Sequence, residues 1–278
     1  MTSPGAKQAE RLAYSDPRGS GRPVIFVHGF GHNRSVWQKV AGELPDGLRP
    51  ISVDLRGHGE SPWSPGGAYD LVDYASDLPL LLDALDLERA VVVGHSLGGN
   101  VSTLFAAAES SRVEALVLVD TGPALEIGGL SHVVEEVGNA TRTYRSIADF
   151  EAQLRGIHPS GDLEVVSELA RTGLVQRVDG LFEVGIDPGV LAKSDSDVAM
   201  EADLVTLERE LWWAIRSLRC PVLVVRGGVS AILSEKVADE MVDEALRDGT
   251  LVTLEAAGHS VMIDDGPGLV AALRDFLG

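Results

Sequence analysis

The chain has 278 residues, with 42 Asp or Glu against 23 Lys or Arg, a formal charge of −19. One core at this length can be stable without disulfides or structural metals, and the single cysteine, Cys220, excludes an intramolecular disulfide. The acidic balance excludes nucleic acids and anionic membranes as charge-held partners, because both need a basic face that displaces counterions.

Residues 1 to 20 lack the apolar stretch of a signal peptide, and nowhere do about 18 apolar residues run together. The expected location is therefore cytoplasmic, with no membrane contact. In chain order, Val24–Val27, Ile51–Val53, Ala90–Val93, Leu116–Val119 and Val222–Val225 are short, mostly β-branched apolar runs. Such runs suit parallel strands covered on both faces. Between them Trp37–Leu44, Val72–Leu85 and Gly99–Ala108 have helical composition or spacing. Leu251–Leu254 reads as a late strand and Gly268–Phe276 as a closing helix. The alternation predicts βα repeats, an α/β fold with a mostly parallel central sheet.

The rhythm breaks between residues 126 and 210, where 17 Asp or Glu face 7 Lys or Arg, a net of −10. Apolar positions in Phe150–Leu154 and Leu163–Leu169 fall at helical spacing, so the segment reads as a helical insertion. The expected organisation is a core in two parts, 1–125 and 211–278, with the insertion at 126–210 between them.

The strongest local signal is Val93-Gly94-His95-Ser96-Leu97-Gly98-Gly99, between a predicted strand and a predicted helix. In a Gly-x-Ser-x-Gly turn the glycines let the backbone approach closely and the serine hydroxyl is pushed above the sheet. Ser96 is thus a candidate nucleophile, and Leu97, at the helix start, offers an unpaired N–H as an oxyanion donor. A serine needs a base, and His259 follows the late strand, at the same sheet edge. The His28-Gly29-Phe30-Gly31 turn also follows a strand, and Phe30 N–H is the second candidate oxyanion donor; His28 itself reads as a structural hydrogen bonder. Asp54 and Arg56, in the Gly-rich Asp54–Ser61 turn, read as loop ties. His32, His132 and His158 carry no local pattern. No clustered Cys/His set or His-Glu-x-x-His motif is present, so no metal or cofactor is expected.

These four motifs, at 28–31, 54–61, 94–99 and 258–259, resemble those of the α/β-hydrolase family, in that family's order. The resemblance implies the α/β-hydrolase fold and makes residues 126–210 look like a cap over the serine. It implies a hydrolase acting on a small molecule, with no indication of oligomeric state. Esterases, lactonases and carbon–carbon bond hydrolases share these motifs, and some relatives on this fold only bind ligands. Family members usually carry the third triad residue in the loop after the strand that Val222–Val225 resembles, yet here no carboxylate appears until Glu235, which suits a helix first turn after Ser234. Some members carry the acid one strand after the serine, which points to Asp120. A Ser96–His259 dyad assisted by Ser230 or water is the alternative. The expected reaction is cleavage of an ester, lactone or related acyl substrate by Ser96, His259 and Asp120. Its runners-up are carbon–carbon cleavage of dienone acids, against which Ser260 stands where many such enzymes have an aromatic, and non-catalytic binding. Trp63, Tyr144, Arg145, Trp212 and Trp213 are the candidate pocket residues, with Leu125, Ile127, Phe150 and Phe182 as further apolar options. Arg145 is the candidate partner of a substrate carboxylate.

Overall fold

The computed structural model describes residues 12–124, 138–139, 142–192 and 197–278. Its first half alternates strand and helix: β1 (Tyr14–Ser15), β2 (Arg22–Val27), a 3-10 turn (Arg34–Trp37) opening into α1 (Gln38–Glu43), β3 (Leu48–Val53), α2 (Leu71–Ala75), α3 (Asp77–Ala84), β4 (Ala90–His95), α4 (Leu97–Ala108) and β5 (Val113–Val119). The second half ends with β9 (Val222–Gly227), α9 (Glu235–Glu240), a π turn (Met241–Ala245), β10 (Gly249–Leu254), α10 (Val261–Asp264) and α11 (Gly266–Leu277). Among the described residues no helix is long and apolar enough to cross a membrane.

Seven strands form one sheet in the order β1-β3-β2-β4-β5-β9-β10. Only β1 runs antiparallel, pairing Tyr14 with Val53; the others are parallel, with Ile25 beside Ile51 and Val24 beside Val91. Val24, Ile25, Phe26, Val27 and most of β4 and β5 are wholly buried, because helices cover both faces. The chain places β3 on one side of β2 and β4 on the other, so a crevice opens at the carboxyl ends of β2 and β4. Ligand sites of open α/β sheets form at such a reversal.

Two elements differ from the sequence reading. The expected helix over Val72–Leu85 is two helices meeting at Ser76. Pro79 explains the break: in a continuous helix it could not donate to the Ala75 carbonyl and its ring would clash there, whereas in the first turn of α3 its missing N–H costs nothing. The segment between β5 and β9 is not purely helical. It holds β6 (Thr143–Tyr144), α5 (Ile147–Ile157), α6 (Leu163–Thr172), β7 (Leu174–Gln176), β8 (Phe182–Val184), α7 (Pro188–Ala192) and α8 (Asp197–Ser217), with the strands in a small antiparallel sheet ordered β6-β8-β7. Two- and three-residue strands are too short to show alternation, and the hairpin between β7 and β8 turns on Gly180 at φ +85°. Helix α8 runs across the expected boundary between the insertion, ending at 210, and the second part of the core, starting at 211.

Candidate active site

Ser96 follows β4 and caps α4 with φ 51° and ψ −121°, a conformation that costs a non-glycine residue about 1–3 kcal/mol. The surroundings hold it there. Ser96 N–H donates to Val119 O of β5 at 3.2 Å, and Ser96 O accepts Gly99 N–H at 2.9 Å and the Thr121 hydroxyl at 3.0 Å. A Cβ on Gly98 would stand 2.4 Å from Val27 O and 2.5 Å from His28 O, so only glycine lets the helix start pass the end of β2. Leu97 is the first residue of α4, where no preceding helical turn satisfies its N–H. The loop after β2 runs beside the serine: a Cβ on Gly29 would lie 3.1 Å from Ser96 Cβ, and Phe30 comes next.

Asp120, wholly buried at the end of β5 with φ 45°, gathers three donors. Gly227 N–H reaches Oδ1 at 2.9 Å, while His259 Nδ1–H at 2.8 Å and the Ser230 hydroxyl both reach Oδ2. A buried carboxylate is tolerable only when paired and hydrogen-bonded in this way. Donation from Nδ1 assigns the proton to that nitrogen and makes Nε2 the basic one. The His259 ring is also fixed by its backbone, since His95 Nε2 bonds His259 O at 2.9 Å and the two rings lie 4.6 Å apart. Glu235 stays away from this cluster, in the first turn of α9 behind the Ser234 cap.

His28, His32, His58 and His95 are held neutral by burial. His28 Nδ1–H donates to Gly29 O at 2.7 Å while Nε2 accepts Leu55 N–H at 3.0 Å, and burial lowers its pKa to about 4. Burial takes His58 down to about 3 and holds His32 and His95 well below the usual imidazole range. The loop ties form between charged groups: Arg56 grips Asp77 through two nitrogens, and Asp54 accepts from Arg34 and from Glu60 N–H.

A cavity of about 460 Å³ opens at this edge, walled by Phe30, His32, Ser230, His259 and Ser260 from the core side and by Phe150, Leu154, Ile157, His158 and Val184 from the segment between β5 and β9. Trp63, Tyr144, Arg145, Trp212 and Trp213 are absent from its described wall, a departure from the sequence reading. Trp63 and Trp213 are more than half exposed, and Arg145 points to the surface. Trp212 packs under Arg216 at 4.9 Å. Tyr144 is buried one layer back, its ring 4.8 Å from Phe150, which does reach the cavity. Aromatic identity tells that a side chain is large, not which face of its element it occupies. Phe182 is half-buried in β8 and also absent from the described wall, whereas Leu125, Ile127 and His132 lie outside the described residues. Sequence reasoning missed His32, 5.8 Å from the His95 ring, and His158, hydrogen-bonded to Asp264 across 106 residues. No local pattern marks either one.

This carboxyl-edge serine and its carboxylate–imidazole pair accord with the match of residues 22–266 to the alpha/beta hydrolase fold family model. The chain belongs to the α/β-hydrolase family, whose members matched here include hydrolases and esterases. It is 34% identical over 217 residues, 78% of this chain and 74% of the relative, to the 2-(acetamidomethylene)succinate hydrolase of Mesorhizobium japonicum. The crystal structure of an E-2-(acetamidomethylene)succinate hydrolase superposes with a TM-score of 0.82 at 28% identity, covering 96% of this chain and 94% of that one. An esterase of Mycobacterium tuberculosis is 29% identical over 98% of this chain and 87% of its own length, and its crystal structure gives a TM-score of 0.76 at 26% identity, covering 98% of this chain and 89% of that one. An AB hydrolase superfamily protein of Bacillus subtilis is 39% identical over 93% of this chain and 92% of its own.

Proposed function

We propose that the chain is a serine hydrolase that cleaves a small carboxylic ester or lactone through an acyl-enzyme. The observation that carries this reading is the Asp120–His259 hydrogen bond at the sheet edge where the strained turn presents Ser96. His259 Nε2 takes the Ser96 proton as Oγ bonds to the substrate carbonyl carbon. The tetrahedral oxyanion is held by Phe30 and Leu97 N–H, each donor worth about 3 kcal/mol of barrier. Collapse breaks the carbon–oxygen bond and the leaving alkoxide takes the proton from His259. Water, deprotonated by the same imidazole, then releases the acid. Asp120 keeps the Nδ1–H tautomer and stabilises the imidazolium in both halves.

The segment between β5 and β9 acts as the cap, since Phe150, Leu154, Ile157 and Val184 close the cavity opposite His259. Its walls favour an uncharged substrate. No Lys or Arg is among the described residues that line the cavity. A succinate, as in the name of the Mesorhizobium relative, or a dienone acid would meet imidazoles but no Lys or Arg among the described lining residues.

The test is hydrolysis of a short-acyl nitrophenyl ester at pH 8 by wild type beside Ser96→Ala. The expected loss in kcat is about a million-fold, the scale seen when the nucleophile of a triad is removed. Equal rates would overturn the assignment of Ser96.

A further inference from the structure

A second histidine–carboxylate pair faces the same cavity. His158 ends α5, its N–H bonded to Leu154 O at 2.8 Å, and its Nδ1 lies 3.1 Å from Oδ1 of Asp264, the last residue of α10. Both side chains are about nine-tenths buried, and both line the cavity with His259. Each is held independently. Asp162 N–H donates to Ile263 O at 2.8 Å, clamping the turn after α5 onto α10, and Asp264 Oδ2 accepts Gly258 N–H at 2.9 Å.

The hydrogen bonds decide what this ring can offer. Both Asp264 oxygens accept, so Nδ1 of His158 carries the proton and Nε2, on the far side of the ring, keeps a lone pair. No described residue bonds that Nε2. Of the other polar groups of the wall, Ser230 serves Asp120 and Gln153 serves Tyr144, while His32 keeps a buried Nδ1 that no described residue bonds.

We propose that His158 is a specificity-determining residue whose Nε2 accepts a hydrogen bond from an uncharged donor, a hydroxyl or amide N–H, on the substrate away from the scissile carbonyl. Asp264 is the positioning residue that fixes the tautomer. The inference rests on the reading of the cavity as the acyl-substrate site and refines it: the preferred substrate is a hydroxy- or amido-substituted ester rather than a plain alkyl one. A site that accepts from a donor favours the substrate that supplies one over the analogue that lacks it, by about the net worth of one hydrogen bond.

Three nitrophenyl esters of matched length test this: hexanoate, 6-hydroxyhexanoate and the mono-ester of adipate. In wild type kcat/KM should favour the hydroxy ester over hexanoate by about tenfold, the scale of one net hydrogen bond. His158→Leu should bring that ratio near one, and His158→Gln, which keeps an acceptor, should retain part of it. Asp264 is not substituted, since its second oxygen holds the backbone beside His259. A ratio that survives in His158→Leu, or a wild type without preference, would overturn the proposal. So would preference for the adipate ester, which calls for a protonated ring. Calorimetric binding of the same esters to Ser96→Ala reads the ratio without turnover. An inactive wild type whose Ser96→Ala form still binds the hydroxy ester preferentially, through His158, would count against the serine chemistry alone.

Discussion

Two walls meet at the cavity, and they hold their side chains differently. On the sheet side His259 lines the cavity, and Ser96 and Asp120 stand at the neighbouring strand ends; Val119 O takes Ser96 N–H and Gly227 N–H reaches Asp120, both backbone groups of adjacent strands, while the His95 ring binds His259 O. On the opposite side Phe150, Leu154 and Ile157 lie on α5, anchored by packing against Tyr144 and by the His158–Asp264 contact. A parallel sheet fixes its strand ends through a continuous hydrogen-bond ladder, so that wall can keep reacting groups aligned. A helix laid over it can change shape and selectivity without disturbing the chemistry.

The sharpest way to break this division is Asp120→Asn. Asparagine tolerates the positive φ at this position and still accepts from Gly227 N–H, so the fold should persist. Loss of the Nδ1–H tautomer should lower kcat about 10⁴-fold, the scale of the equivalent change in a serine triad. Near-wild-type kinetics with an unchanged melting temperature would remove Asp120 from the mechanism.

Acid sensitivity should also belong to the sheet side. His28 and His58 titrate near 4 and 3 in the fold, while their unfolded rings take up protons below about 6.5. The unfolded state therefore binds more protons in that window, so stability is complete above about pH 6.5 and falls as pH drops through it. Each histidine adds a slope of up to about 1.4 kcal/mol per pH unit. Urea midpoints measured from pH 7 to pH 5 should fall, and His58→Gln should flatten the decline; an equally steep decline in that variant would contradict the assignment.

Ser230 is the smallest test, since it lines the cavity from the sheet side while donating to Asp120. Ser230→Ala leaves Asp120 with Gly227 and His259, and kcat should drop about tenfold, the weight of one hydrogen bond to a charged group. An unchanged kcat would show that the serine only shapes the pocket.

The same contrast explains what could be read from the sequence. The β-branched runs and the Gly94–Gly99 turn are local signals, and they mark the strands and place Ser96 because their causes lie within a few residues. Asp120 came from the family resemblance: some members carry the acid one strand after the serine, and the loop after Val222–Val225 holds no carboxylate before Glu235. The cavity wall stayed hidden. His158 gains its meaning from Asp264, 106 positions away, and the tryptophans chosen for size lie on faces that only packing decides. The small β6-β8-β7 sheet was missed because strands of two or three residues carry no readable period.

The central claim is that Ser96 becomes acylated with His259 as its base. A fluorophosphonate probe followed by intact-mass and peptide mapping tests it most directly. The expected result is one adduct per chain on the peptide holding Ser96, formed far more slowly in Asp120→Asn and absent from Ser96→Ala. An adduct that persists in Ser96→Ala, or a wild type that stays unlabelled while hydrolysing esters, would contradict it.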